Sequence, residues 1–245
     1  MLTTYRDKML GLGPLAYWRL DEGSGDFFSL VGGYAMGPAG TMTRGVGGLL
    51  TNDGNPAVSF NSGTATAGAG SVWSLGAGDF SISLVTQYTQ TSLSCILSIR
   101  IPDSTLLLLL ATNRMTTGDV AAETWCWSDA DTRVRSPGPL NNGRPVHIVA
   151  TYRHSDMSLS LYINGMLVDR RTQTGVRTIS SSIALRIGSN LNASQPHYGI
   201  IDEVAVFDRL LHGYEIRELA AICASRPAMR GRPPSGLRRM IAHHS

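Results

Sequence analysis

Lysine is almost missing from this 245-residue chain: Lys8 stands alone, and the rest of the 21 basic residues are Arg. We read that as GC-rich coding rather than as a chemical requirement. Cysteine is scarce as well. Cys95, Cys126 and Cys223 are odd in number, far apart and without C-x-x-C spacing, which argues for buried free thiols over a disulfide framework or a thiolate metal site. Long apolar runs are absent too. The leucine run 106–110 is far short of the ~20 residues that span a bilayer. The first ten residues hold no stretch of signal-peptide length, so the expectation is a soluble protein made in a reducing cytoplasm. Neither a phosphate loop nor a Ser-His-Asp or Cys-His string is present, and Asp21-Glu-Gly-Ser-Gly-Asp26 lacks the Lys and the spacing of such a loop.

What the chain does have is glycine, 27 residues of it, with frequent Ser and Thr. That suits many short strands joined by turns. A chain of this length can bury roughly 70–75% of its unfolded surface and needs no staples. Thr3 or Thr4 can cap a short helix over residues 3–10 that ends at Gly11-Leu-Gly-Pro14; being only two turns long, it needs a domain or a partner to pack on. Ala16, Trp18 and Leu20 alternate as a strand. Phe80–Tyr88 alternates cleanly, and Cys95–Ile101 and Thr105–Thr112 read as paired strands around Pro102-Asp103. Residues 124–128 and 183–188 are further strand candidates, whereas 26–56 is Gly-rich with little periodicity. Leu159–Val168 is a hairpin, because Asn164-Gly165 supplies the two positive-φ residues of a type I′ turn.

The most informative stretch is Tyr198–Leu219. It begins as a strand in which Ile200, Ile201, Val204 and Val206 surround Asp202-Glu203, and it ends as a helix over 212–223. An acidic pair inside an apolar strand is costly unless paired, hydrogen-bonded or metal-bound. On a regular strand the two side chains point to opposite faces.

Several segments, in order, resemble laminin-G-like, concanavalin A-like jelly rolls: Ala16-Tyr-Trp-Arg-Leu-Asp-Glu-Gly-Ser-Gly25, Asn55–Phe60, Phe80–Tyr88, Pro145–Tyr152, Leu159–Val168 and Gly199–Ile216. The resemblance covers residues 15–224. It implies an all-β antiparallel β-sandwich of jelly-roll type, with a short N-terminal helix and one helix near the C-terminus. The organisation expected is a helical arm (1–13), the jelly roll (14–224) and a basic Arg/Pro-rich tail (225–245).

The resemblance also bears on sites. Family members carry a loop Asp that helps hold calcium, and Ser29 falls about where it would be. Asp202, with Asp26, is a candidate calcium site; the other reading of the acidic pair is a structural hydrogen-bond or Arg pairing that closes the sheet. Trp125 and Trp127 share a strand face, as a sugar-stacking platform or as core aromatics. His147, in an otherwise apolar strand, reads as a structural histidine. Retaining glucanases share the fold, and the resemblance gives them a pattern E-x-D-x-x-E; no such string occurs, so no enzyme is expected.

Charge is unevenly placed. Residues 226–245 hold five Arg and no acid, leaving 16 basic and 18 acidic groups in the first 225 residues. Composition predicts a disordered tail. Arg226, Arg230, Arg232, Arg238 and Arg239 are candidates for docking onto a partner, or onto nucleic acid through phosphate contacts. Such jelly rolls recur in bacteriophage virions, so the resemblance implies a capsid decoration or tail component docked by its terminal arms onto other virion proteins, in a homo-oligomer or not. A carbohydrate-binding module for host attachment is the alternative, and a glycoside hydrolase a remote one.

Overall fold

The computed structural model describes residues 4–51, 53–70, 75, 78–100, 106–113, 117–123, 133–172, 183–190 and 194–224. Two antiparallel sheets form a sandwich. One contains β1 (Ala16–Trp18), β4 (Met42–Val46), β5 (Ala57–Asn61), β7 (Phe80–Tyr88), β12 (Val146–Arg153), β13 (Ser158–Ile163), β14 (Met166–Thr172) and β16 (Tyr198–Phe207). Its order is β14-β13-β12-β7-β16-β5-β4, with β1 paired to β16. The other contains β2 (Phe27–Phe28), β3 (Ala35–Ala39), β6 (Thr64–Gly70), β8 (Ser94–Arg100), β9 (Leu106–Thr112), β10 (Val120–Glu123), β11 (Val134–Arg135) and β15 (Ile183–Ile187), in the order β11-β10-β9-β8-β15-β6-β3-β2. The fold is the expected jelly roll. The Gly-rich stretch before residue 56 supplies β2, β3 and β4, and Thr64–Gly70 supplies β6. In β3 and β6 small residues leave little apolar alternation, and pairing with neighbours on both sides defines these two strands.

Between the sheets Phe80, Ile82 and Leu84 of β7 meet Ile148 and Ala150 of β12, Val204 and Val206 of β16, and Leu97, Ile99 and Leu185 of the opposite sheet. The alternate residues of β7 and β12 point away from this core, and that second face is covered as well. α1 (Tyr5–Gly11) and α2 (Gly213–Ala224) lie on it, forming a second apolar cluster of Tyr5, Met9, Val85, Val149, Ala205, Phe207, Ile216 and Leu219. Polar residues on this face therefore need partners. The Ser81 hydroxyl donates to the Arg209 carbonyl (2.9 Å) and accepts from Leu211 N–H (2.9 Å).

Thr4 caps α1, its hydroxyl accepting from Asp7 N–H at 3.1 Å. With Tyr5 and Met9 buried and Lys8 ion-paired to Glu218 of α2, α1 is part of the domain and not a projecting arm. A two-turn helix cannot hold itself together in water, and here sheet burial stabilises it. The hairpin between β13 and β14 turns at Asn164 (φ 49°) and Gly165 (φ 84°), as its sequence predicts. The paired strands β8 and β9 are also where they were expected. The strand candidate at 124–128 lies outside the described residues.

Candidate functional site: the buried carboxylate seal

Asp202 and Glu203 sit in the middle of β16, and both are fully buried. The register against β7 slips between them and Ala205: Asp202 faces Val85, while Ala205 faces Ser83. Three steps on β16 thus span two on β7, which is a β-bulge. Glu203 takes the left-handed conformation, φ 56°. The bulge overturns the expectation from a regular strand. Asp202 and Glu203 do not diverge to opposite faces; both reach the amide of Asn55, at 3.4 Å and 3.3 Å.

Three segments converge on the pair. Alternation in β1 sends Ala16 and Trp18 into the inter-sheet core, so Tyr17 and the following Arg19 face the other way. The Tyr17 hydroxyl donates to Glu203 Oε2, and Arg19 Nε lies 3.3 Å from Glu203 Oε1. The segment 47–55 closes from the other side. Leu49 N–H donates to Asp202 Oδ2 (3.0 Å), Asn55 also donates to the Arg19 carbonyl (3.2 Å), and Asp53 pairs with Arg19 Nη2 (2.9 Å). Gly48 makes this approach feasible: a Cβ there would stand 1.8 Å from the Asn55 carbonyl oxygen.

Three carboxyl groups thus lie around one guanidinium, which contacts Asp53 and Glu203 directly. Burial pushes the Asp202 carboxyl up to about 7, against the pull of Leu49 N–H and Arg19. Burial and the neighbouring Asp202 push Glu203 up to about 8, although Tyr17 and Arg19 favour its charged form. The Tyr17 hydroxyl is raised by burial and by Glu203, so it remains a donor. Removal from water outweighs the single cation, a common balance for buried ion pairs.

A calcium ion does not fit this arrangement. Calcium wants six to eight oxygens, yet the oxygens of Asp202 and Glu203 already accept from N–H and O–H donors, and Arg19 supplies the positive charge. Asp26 does not join Asp202: it is exposed on the approach to β2, in the opposite sheet. No group of three or more His, Cys, Asp or Glu suited to a metal occurs among the described residues. Ser29 has taken a backbone role, its hydroxyl accepting from Tyr17 N–H (2.8 Å) and donating to the Val31 carbonyl (2.5 Å).

His147 lies on the same covered face, with Nε2 3.0 Å from the Ser83 hydroxyl and the Tyr5 ring edge-on at 6.3 Å. Burial lowers its pKa to about 4, which keeps it neutral, and Nδ1 has no hydrogen-bond partner. Among the described residues no carboxylate orients the ring, and Ser83 and His147 are both buried, so this Ser-His pair lacks the parts of a nucleophilic site there. A second buried histidine, His197, joins Thr86 (3.4 Å) and Ser94 (3.2 Å). Trp125, Trp127, Arg226, Arg230, Arg232, Arg238 and Arg239 lie outside the described residues. Sequence reading missed Tyr17, Arg19, Asp53 and Asn55 as partners of the acidic pair. Alternation alone could have placed Tyr17 and Arg19 on the face away from Trp18; nothing local marks the segment around Asn55.

No curated protein matches the chain. Among solved structures it is similar to Trypanosoma rangeli sialidase (TM-score 0.65, 15% identity, 85% of this chain and 33% of that one). It is also similar to the binding domain of botulinum neurotoxin serotype G (TM-score 0.63, 16% identity, 86% and 51%) and to a heptameric SAP-like pentraxin from Limulus polyphemus (TM-score 0.51, 14% identity, 59% and 70%). The chain therefore spans about a third of the sialidase and half of the toxin domain. At these identities the likeness is one of fold. Residues 52–217, well over half of the chain, match the family model of the concanavalin A-like lectin/glucanases, and the chain belongs to that superfamily.

Proposed function

We propose that the chain is a non-catalytic binding module. The observation that carries this reading is the sealing of Asp202 and Glu203. A retaining glycosidase needs two carboxyl groups roughly 5–5.5 Å apart across a sugar cleft. These two are adjacent in the chain, buried, and turned toward Tyr17, Arg19 and Asn55. Their raised proton affinities follow from structural closure, which perturbs pKa values as readily as catalysis does.

The setting we propose is a virion, with the module as a capsid decoration or tail component whose outward sandwich takes a host-surface glycan. Docking falls to the basic tail 225–245, because α1 is committed to the domain. The lectins of the superfamily support the glycan half, as does a Trypanosoma rangeli sialidase solved with sialic acid, and a neurotoxin binding domain among the fold neighbours supports the binding role more broadly. A glycan array with and without calcium, followed by assay of the retained glycans for hydrolysis, tests it. Binding without turnover is expected, equal in calcium and in chelator. Release of sugar overturns the non-catalytic reading, and an empty array overturns glycan binding. For docking, the full chain and a version ending at residue 224 are compared for co-sedimentation with assembled particles; equal association rules out the tail.

A further inference from the structure

The two sheets come together at one edge, where β11 of one approaches β14 of the other. Between them is a cleft of about 370 Å³ lined by Arg135, Ser136, Pro137, Val168, Asp169 and Arg171. Asp169 organises it. Its Oδ2 accepts from Arg135 N–H at 3.2 Å, joining the sheets, while Oδ1 accepts from Arg170 N–H (2.8 Å) and Arg171 Nε (3.1 Å). The Ser136 hydroxyl is spent on the Gly138 carbonyl (2.8 Å) and Val120 N–H (3.1 Å), so it forms a fixed wall. The Arg135 guanidinium is exposed and makes no side-chain hydrogen bond or ion pair among the described residues.

We propose that this cleft binds an acidic sugar unit, one that carries a single carboxylate beside hydroxyl groups. The inference rests on the binding-module reading above. A planar guanidinium matches a carboxylate in a two-pronged contact, and Arg135 has its whole fork available. Arg171 adds a second positive charge beside the same space. Val168 and Pro137 offer an apolar wall for the C–H face of a sugar ring. Asp169 retains one lone pair, on Oδ2, that can accept from a sugar hydroxyl, and its charge disfavours a ligand with several acidic groups. The volume lies at the small end of ligand pockets, about 300–1,000 Å³, which suits one or two sugar rings.

The test titrates the full chain with D-galacturonate and with D-galactose, followed by NMR or calorimetry. These probes differ at one carbon, a carboxylate replacing a hydroxymethyl group. Galacturonate is expected to bind at least about tenfold more tightly than galactose, and to weaken as salt is raised. Arg135→Ala should lose at least about tenfold of that affinity and Arg135→Lys less, with melting temperature unchanged because the side chain supports nothing else. Equal binding of the two sugars, or galacturonate affinity unaltered in Arg135→Ala, overturns the proposal. So does binding of tetraglutamate where galacturonate fails, which would make the cleft a peptide site. If neutral glycans bind on the array and galacturonate does not, this site falls while the module reading stands. If neither binds, both fall.

Discussion

Arg19 is the only cation in contact with the carboxylate seal among the described residues, and the protonation of that seal sets how stability responds to pH. Asp202 (about 7) and Glu203 (about 8) hold a proton more tightly in the folded chain than carboxyls of an unfolded one, which titrate near ~4. Their contribution is complete below about pH 4 and is lost as the pH climbs through 7 and 8. His147 and His197 run the other way. Burial lowers both to about 4, so unfolded imidazoles, near ~6.5, take up protons first and stability grows as pH rises from about 4 to 6.5. The two trends oppose each other up to about pH 6.5, above which only the carboxyl trend remains. The melting temperature is therefore expected to be nearly level from about pH 5 to 6.5 and to fall from there to about pH 9. Glu203→Gln should remove much of that fall. Circular dichroism melts of both proteins across the range check it, and a melting temperature that climbs above pH 6.5 would refute the assignment. Tyr17→Phe leaves Glu203 Oε2 without its hydroxyl donor and should cost about 1–3 kcal/mol in urea unfolding.

At the scale of elements, the two helices decide what the outer face of the first sheet can be. β7 and β12 are buried on both sides because α1 and α2 cover the face that points away from the inter-sheet core. Met9 is the deepest contact of α1, fully buried beneath a helix of two turns. Met9→Ala should destabilise the domain by about 2–5 kcal/mol, read from urea midpoints, because the cavity lies at a closed interface. A variant within about 0.5 kcal/mol of the parent, the range of surface changes, would mean that α1 is a loose arm after all. The β13–β14 turn is a second anchor. Gly165 combines a φ of 84° with contact to α2, where a Cβ would stand 2.9 Å from Ala220 Cβ. Gly165→Ala should cost about 1–3 kcal/mol by the same measurement, from both backbone strain and displacement of α2.

Across the whole molecule, the seal ties β1, the segment 47–55 and β16 together with the chain's own cation. Strands distant in sequence are thereby closed by the chain's own donors, so calcium and a chelator should leave the melting temperature the same to within about 1 °C. A rise of several degrees in calcium, as mass action requires of a ligand that binds the folded state alone, would restore the family's metal site. The edge between β11 and β14, by contrast, carries a solvent-facing cleft. There Arg135 faces solvent while Asp202 and Glu203 do not.

Local features of the chain determined much of this architecture. Thr4 caps α1, Asn164-Gly165 turns a hairpin and Phe80–Tyr88 forms one strand, all through short-range φ/ψ preference and alternation, whereas the jelly roll itself was expected from the resemblance of the motifs from Ala16 to Ile216 to a known family. β3 and β6 were not legible, because strands rich in Ala, Gly and Thr carry little apolar signal and are defined by their neighbours in the sheet, and β2 is only two residues long. Nor was the arrangement of the acidic pair. Its residues could be read as anomalous, but a bulge depends on register against β7, and Arg19, Asp53 and Asn55 lie about 150 residues or more from Glu203 in the chain. Only the tertiary fold brings those groups together, and only burial turns two ordinary carboxylates into proton-binding parts of a seal.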